Sequence, residues 1–215
     1  MISAAIFDLD GLMFDTEPIW DQAWSPALEK YGLKLTYKMA CDGRGKASDS
    51  LCQALRDNYG QQIDAEGICA ELDTQALKLF EKGVDKKPGI DSILSWLEEA
   101  GIPCAVASSS SYDMIYMHLR SGGLEKYFTK VVSGKYVAHA KPAPDVFLKA
   151  ADLMGVPVSE CVVFEDSNAG AQAGITGGFK TIVIPDRVEP TDEVCAGAFK
   201  VCKDLYEALD VVKQL

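Results

Sequence analysis

Ala4-Ala5-Ile6-Phe7-Asp8-Leu9-Asp10-Gly11-Leu12-Met13-Phe14-Asp15 is the stretch on which the fold turns. Ala4–Phe7 is apolar without alternation, which marks a strand buried on both faces. Two carboxylates then flank Leu9, and Gly11 allows a tight turn. Asp8 therefore falls where a buried strand runs out.

Working outward, similar short runs occur at Pro103–Ala107, Val131–Ser133, Cys161–Phe164 and Thr181–Ile184, with a weaker one at Ala198–Val201. Helical patterns separate most of them. Gly89–Ala100 sets Ile90, Ile93, Leu94 and Leu97 on one face and ends at Gly101. Pro144–Met154 starts with proline in its first turn and stops at Gly155. Strands alternating with helices imply right-handed βαβ units. The expected fold is α/β, a Rossmann-like parallel sheet with helices on both faces.

Residues 15–87 break the alternation. They hold no convincing strand and read as helices over Pro18–Tyr31, Ser48–Tyr59 and Ala65–Gly83. Leu51, Leu55 and Tyr59 recur at helical spacing. Pro26 is expected to kink or split the first helix. The chain thus divides into an α/β core, residues 1–14 and 88–215, and an all-helical insert placed after the first strand.

Composition narrows the function. The 215 residues are 48% hydrophobic and 25% charged, ample for a packed core and unlike a disordered chain. A formal net charge of −11 argues against nucleic acid or an anionic membrane as the partner. It also means that any phosphate site must supply its own local positive charge. No basic stretch precedes an apolar one at the start, and no apolar run approaches the roughly 20 residues of a membrane helix. Seven scattered cysteines without a Cys-x-x-Cys suggest buried thiols in a reducing compartment, so a cytoplasmic protein is expected.

In open parallel sheets, ligands bind outside the carboxyl ends of the strands. Asp8 and Asp10 sit at such an end. Paired carboxylates there can grip a hard cation such as magnesium. One could then attack phosphorus, and the other could protonate the leaving oxygen and later deprotonate water. The same Asp-x-Asp-Gly also serves as a plain cap or turn, so the motif gains meaning from the strand before it.

These residues carry a resemblance. Asp8-Leu9-Asp10-Gly11 followed by Asp15-Thr16-Glu17-Pro18 resembles the first motif of the haloacid dehalogenase-like superfamily. More narrowly, it is similar to the β-phosphoglucomutase-like and sugar-phosphate phosphatase branch, whose small helical cap follows this motif. Three further motifs match in order. Ser108 matches the hydroxyl that hydrogen-bonds the transferring phosphoryl group. Lys141, in Lys141-Pro142-Ala143-Pro144-Asp145, matches the lysine that neutralises the nucleophile. Glu165-Asp166, ahead of Ser167-Asn168-Ala169-Gly170, matches the acidic pair that completes a magnesium site.

The resemblance implies a phosphatase with Asp8 as nucleophile and Asp10 as acid and base. It implies Mg2+ on Asp8, the Asp10 main-chain carbonyl and Asp166, with Glu165 acting through a water. Ser109 and Asn168 are the implied substrate contacts beside the motifs. In the insert these are Arg44 and Lys46 of Gly43-Arg44-Gly45-Lys46, together with Trp20. Trp20 stands where the mutases of this branch carry a histidine. Tryptophan cannot shuttle a proton, so this departure favours a phosphatase over a phosphomutase.

Three other readings are weaker. A dehalogenase lacks the second aspartate of the first motif, and Asp10 is present. A receiver-like phospho-acceptor module is shorter and has no helical insert. A dinucleotide-binding protein needs a Gly-x-Gly-x-x-Gly after the first strand. The expectation is a monomeric enzyme acting on a small phosphorylated metabolite, a sugar phosphate in chemical class, rather than on nucleic acid or membrane.

Overall fold

A computed structural model describes residues 2–43 and 48–215 of the chain. Arg44 and Lys46 lie outside the described residues. The chain divides into two compact units, Met1–Asp15 with Val84–Leu215, and Thr16–Gly83.

In chain order the elements are β1 (Ala4–Phe7), then α1 (Glu17–Glu29), α2 (Tyr37–Gly43), α3 (Ser48–Tyr59) and α4 (Ala65–Phe80). There follow α5 (Ile90–Glu99), β2 (Cys104–Ser108), α6 (Tyr112–Ser121), β3 (Phe128–Ser133) and α7 (Asp145–Met154). The chain ends with β4 (Cys161–Glu165), α8 (Asn168–Thr176), β5 (Lys180–Val183), α9 (Asp192–Gly197), β6 (Lys200–Val201) and α10 (Leu205–Val212).

The first unit is built on one six-stranded sheet of order β3-β2-β1-β4-β5-β6. Every pairing is parallel, and Ile6 of β1 stands between Ala105 of β2 and Val163 of β4. Alternate residues of β1 feed two separate cores. Ala5 and Phe7 join a cluster with Ile93 and Leu97 of α5, Ile115 of α6 and Leu209 of α10. Ala4 and Ile6 join one with Val146, Phe147 and Ala150 of α7. Both faces of the sheet are thus covered, which is why its strands read as unbroken apolar runs. Phe7 stacks on Phe164 of β4 with centroids 4.5 Å apart. β1 has β2 on one side and β4 on the other, so the winding direction reverses at β1. That reversal opens the crevice in which such sheets bind ligands.

Two strands differ from expectation by more than one residue at an end. β3 begins at Phe128 rather than Val131, because it is an edge strand whose Thr129 and Lys130 face solvent. β6 is confined to Lys200–Val201, since the Ala198 N–H still closes α9 by donating to the Val194 carbonyl at 2.9 Å.

The second unit is all-helical. Ala23, Trp24, Ala27 and Leu28 of α1 are buried, as are Ile68, Leu72, Ala76 and Phe80 of α4. Lys30 and Glu71 form an ion pair between the end of α1 and α4. Asp64 caps α4, its carboxylate accepting from the Gly67 N–H at 2.9 Å. Pro26 does not split α1, which runs through it to Glu29. The proline falls in the last turn, where little helix remains beyond it to disrupt.

Candidate active site

Asp8 follows β1 directly and is 6% exposed. Its N–H donates to the Phe164 carbonyl at 3.0 Å, which extends the β1–β4 pairing to the backbone of Asp8 itself. The chain then turns back sharply: the Gly11 N–H donates to Phe14 O at 2.9 Å and the Met13 N–H to Leu9 O at 3.0 Å. Gly11 has φ +84°, and a β-carbon there would overlap the Asp166 carboxylate. Glycine is required on both counts.

Lys141 reaches this point from the loop before α7. Its Nζ lies 2.5 Å from Asp8 Oδ1 and 2.6 Å from Glu165 Oε1. It also donates to the Ala107 carbonyl at 3.3 Å and sits 4.6 Å from the centre of the Phe147 ring. The Lys141–Pro142 peptide is cis. All three ionised groups are buried. Desolvation alone would lower the lysine's pKa, but the charges of Asp8 and Glu165 and the hydrogen bonds to both outweigh it, and the net direction is upward.

Glu165 ends β4 and is 1% exposed. Its Oε2 accepts from the Asp166 N–H at 2.9 Å, the Ser167 N–H at 2.8 Å and Ser167 Oγ at 3.0 Å. Both of its oxygens are therefore engaged, one by Lys141 and one by the turn into α8. Gly170 in the first turn of α8 packs directly on this carboxylate, where a β-carbon would overlap it. The side chain holds the lysine and the loop in place.

Asp8, Glu165 and Asp166 each present an oxygen within 4.8 Å of the others. Burial, and then the charges of Glu165 and Asp10, push Asp8 up to about 7 against the pull of Lys141. Burial and the charges of Glu165 and Asp8 likewise raise Asp166 well above the usual carboxylate range. Three crowded carboxylates with one lysine leave a surplus of negative charge. An all-oxygen donor set with that surplus fits a hard divalent cation, which would lower both pKa values.

Asp10 is held from the side of β2. Ser110 Oγ donates to its Oδ2 at 2.7 Å and Ser108 Oγ at 3.4 Å. The Ser110 N–H donates to Ser108 Oγ at 3.0 Å, and Ser133 Oγ at the end of β3 donates to the Ser110 carbonyl at 2.6 Å. Asp10 Oδ1 is buried without a hydrogen-bond partner among the described residues. His118 of α6 is also fully buried, with its ring 5.6 Å from that of Phe14. Burial lowers its pKa and the Asp10 charge opposes that shift.

The structure thus brings Asp8, Asp10, Ser108, Lys141, Glu165 and Asp166 to one edge of the sheet. Ser109 is exposed beside them. Asn168 is turned elsewhere. Its amide donates to Glu189 O at 3.1 Å and accepts from the Thr191 N–H at 2.9 Å. It ties the start of α8 to a loop through one hydrogen bond at each end of the amide. Trp20 belongs to the helical unit, half-buried, and meets the Phe80 ring edge-on at 5.6 Å. Sequence reasoning overlooked two neighbours. Ser110 is hidden in a run of four serines, where only the folded geometry separates one hydroxyl from the next. Asp186 follows β5, and the strand-end rule applied to β1 and β4 points to it as well.

Known proteins resemble this chain over most of its length. A family model described as haloacid dehalogenase-like hydrolase matches residues 5–184. Fructose-1-phosphate phosphatase YqaB of Escherichia coli is 33% identical over 177 residues, 82% of this chain and 93% of that protein. The phosphorylated carbohydrates phosphatase of Thermotoga maritima is 28% identical over 216 residues and the full length of both. The crystal structure of CbbY from Rhodobacter sphaeroides in complex with xylulose-(1,5)bisphosphate superposes with a TM-score of 0.80. It is 26% identical and covers 96% of each chain.

Proposed function

Because this chain belongs to the haloacid dehalogenase-like hydrolases and is a phosphoric monoester hydrolase, we propose that its substrate is a small phosphorylated sugar. In this reading phosphate leaves through an aspartyl-phosphate on Asp8, with Mg2+ as the cation. The observation that carries it is the Lys141 ammonium held between Asp8 and Glu165, with Asp166 alongside, at the switch point of the sheet. That arrangement offers a buried nucleophile, one fixed positive charge and a carboxylate cluster that calls for a cation.

Asp8 and Asp166 would hold the magnesium, joined by the Asp10 main-chain carbonyl. When bound, the ion offsets the repulsion between these carboxylates and an incoming phosphate dianion. Lys141 fixes the orientation of Asp8 and faces the transferring group with a full positive charge. Asp8 attacks phosphorus. Asp10, oriented by Ser110 and Ser108, gives a proton to the departing alcohol oxygen. It then takes one from the water that cleaves the acyl-phosphate. Ser108, at the end of β2, is placed to donate to a phosphoryl oxygen.

The relatives' names direct the choice of substrate towards ketose and hexose phosphates. The enzyme works as a monomer in the cytoplasm in this reading. Each of its seven cysteines is a free thiol, and no helix of the described residues is long and apolar enough to cross a membrane. A panel of sugar phosphates with magnesium tests the proposal. Release of inorganic phosphate from at least one of them is expected. Conversion of a hexose 1-phosphate to its 6-phosphate without phosphate release would assign a phosphomutase instead.

A further inference from the structure

Asp186 lies just beyond β5, the strand that neighbours β4 in the sheet. Its side chain is only 9% exposed. Oδ1 accepts from Lys87 Nζ at 2.6 Å. Oδ2 is buried and has no hydrogen-bond partner among the described residues. Arg187 Nε stands 4.0 Å from it, beyond hydrogen-bond reach.

A buried carboxylate oxygen without a donor is costly, so its direction carries information. Oδ2 lies 3.5 Å from the place a β-carbon on Gly11 would take, and Asp166 Oδ2 lies closer still to that same place. Two carboxylates therefore face each other across Gly11, beside the Asp8–Glu165–Asp166 cluster. Lys87 bonds the first oxygen and makes no hydrogen bond to the second. Lys87 is itself tied to the turn that carries Asp10 and Gly11, since its N–H donates to Met13 O at 2.8 Å. One lysine thus fixes Asp186 with respect to that turn.

An anionic acceptor in such a place calls for a strong donor. Water in the shell of a divalent cation is polarised and donates well, and carboxylates in this second layer orient metal sites. We propose that Asp186 is a positioning residue of the cation site. Through Oδ2 it accepts from a water of the cation held by Asp8 and Asp166, and Lys87 fixes its aim. The inference rests on the cation reading given above and extends it to two residues outside the four motifs.

The test is calorimetric titration of the purified full chain with MgCl2 alone, without substrate, for the wild type and three variants. Asp186→Asn keeps the shape and an oxygen for Lys87 but loses the anionic acceptor. It is expected to weaken Mg2+ binding by about 10- to 100-fold, with no fall in the melting temperature of the metal-free protein. Lys87→Met leaves the carboxylate but frees its aim, and a weakening of about tenfold is expected. Asp166→Asn tests the underlying reading and is expected to abolish measurable binding. If Asp166→Asn loses binding while Asp186→Asn stays within twofold of wild type, the role of Asp186 is overturned and the cation site stands. The same holds if Asp186→Asn only lowers the metal-free melting temperature. Wild-type affinity in Asp166→Asn would overturn the cation site itself.

Discussion

Lys141 Nζ stands 2.5 Å from Asp8 Oδ1, and neither side chain is more than 9% exposed. A buried ion pair adds little to stability by itself, but removing one partner strands the other. Lys141 also serves Glu165, so its loss would strand two carboxylates. Lys141→Met is expected to lower the unfolding free energy of the metal-free protein by about 3 kcal/mol or more. Phosphate release should fall at least about a hundredfold. Urea denaturation and a phosphate assay check both. Near-normal turnover would remove Lys141 from the chemistry.

Asp8 gives the pH dependence its sign. Its carboxyl is pushed from 3.8 up to about 7, first by burial and then by the charges of Glu165 and Asp10. The folded state therefore holds a proton that the unfolded chain has released. Stability from this group is complete below about pH 4 and is lost as pH rises through about 7. Asp166 is shifted in the same direction. A divalent cation competes with those protons. The melting temperature gained on adding MgCl2 should thus be larger at pH 8 than at pH 5.5. Melts with and without the salt measure it, and a larger gain at the acidic end would run against the account.

Ser110 is expected to matter as much as Ser108 for the proton transfers, because its hydroxyl makes the shorter bond to Asp10, 2.7 Å against 3.4 Å. Ser110→Ala frees the Asp10 carboxylate to rotate. A fall in kcat of between about tenfold and about a hundredfold should follow, with the magnesium requirement unchanged. Steady-state kinetics at varied MgCl2 separate the two effects. An unchanged kcat would leave Asp10 positioned by something else.

The parts of this fold that sequence revealed are those where one physical demand dominates. Ala4–Phe7 and Cys161–Phe164 are buried on both faces, so nothing polar interrupts them. The edge strand β3 mixes Thr129 and Lys130 with apolar residues, and its first half was hidden for that reason. The same logic governs the site. Asp8, Asp10, Lys141, Glu165 and Asp166 are charged groups at strand ends or beside prolines, each common alone and distinctive in their combined order. Ser110 and the contacts of Asp186 needed coordinates. A serine among four serines has no distinguishing pattern, and the role of Asp186 depends on Lys87, 99 residues away in the chain. Asn168 shows the converse, a polar residue next to a motif whose amide binds a neighbouring loop.

The central claim is that Asp8 is the atom-for-atom acceptor of the phosphoryl group. Asp8→Asn removes the nucleophilic oxygen with almost no change of shape. Single-turnover phosphate release by this variant, on the best substrate of the sugar-phosphate panel and with saturating MgCl2, is the most direct measurement. The account predicts a rate lower by about a thousandfold or more, with the circular dichroism spectrum unchanged. A rate within tenfold of the wild type would contradict it.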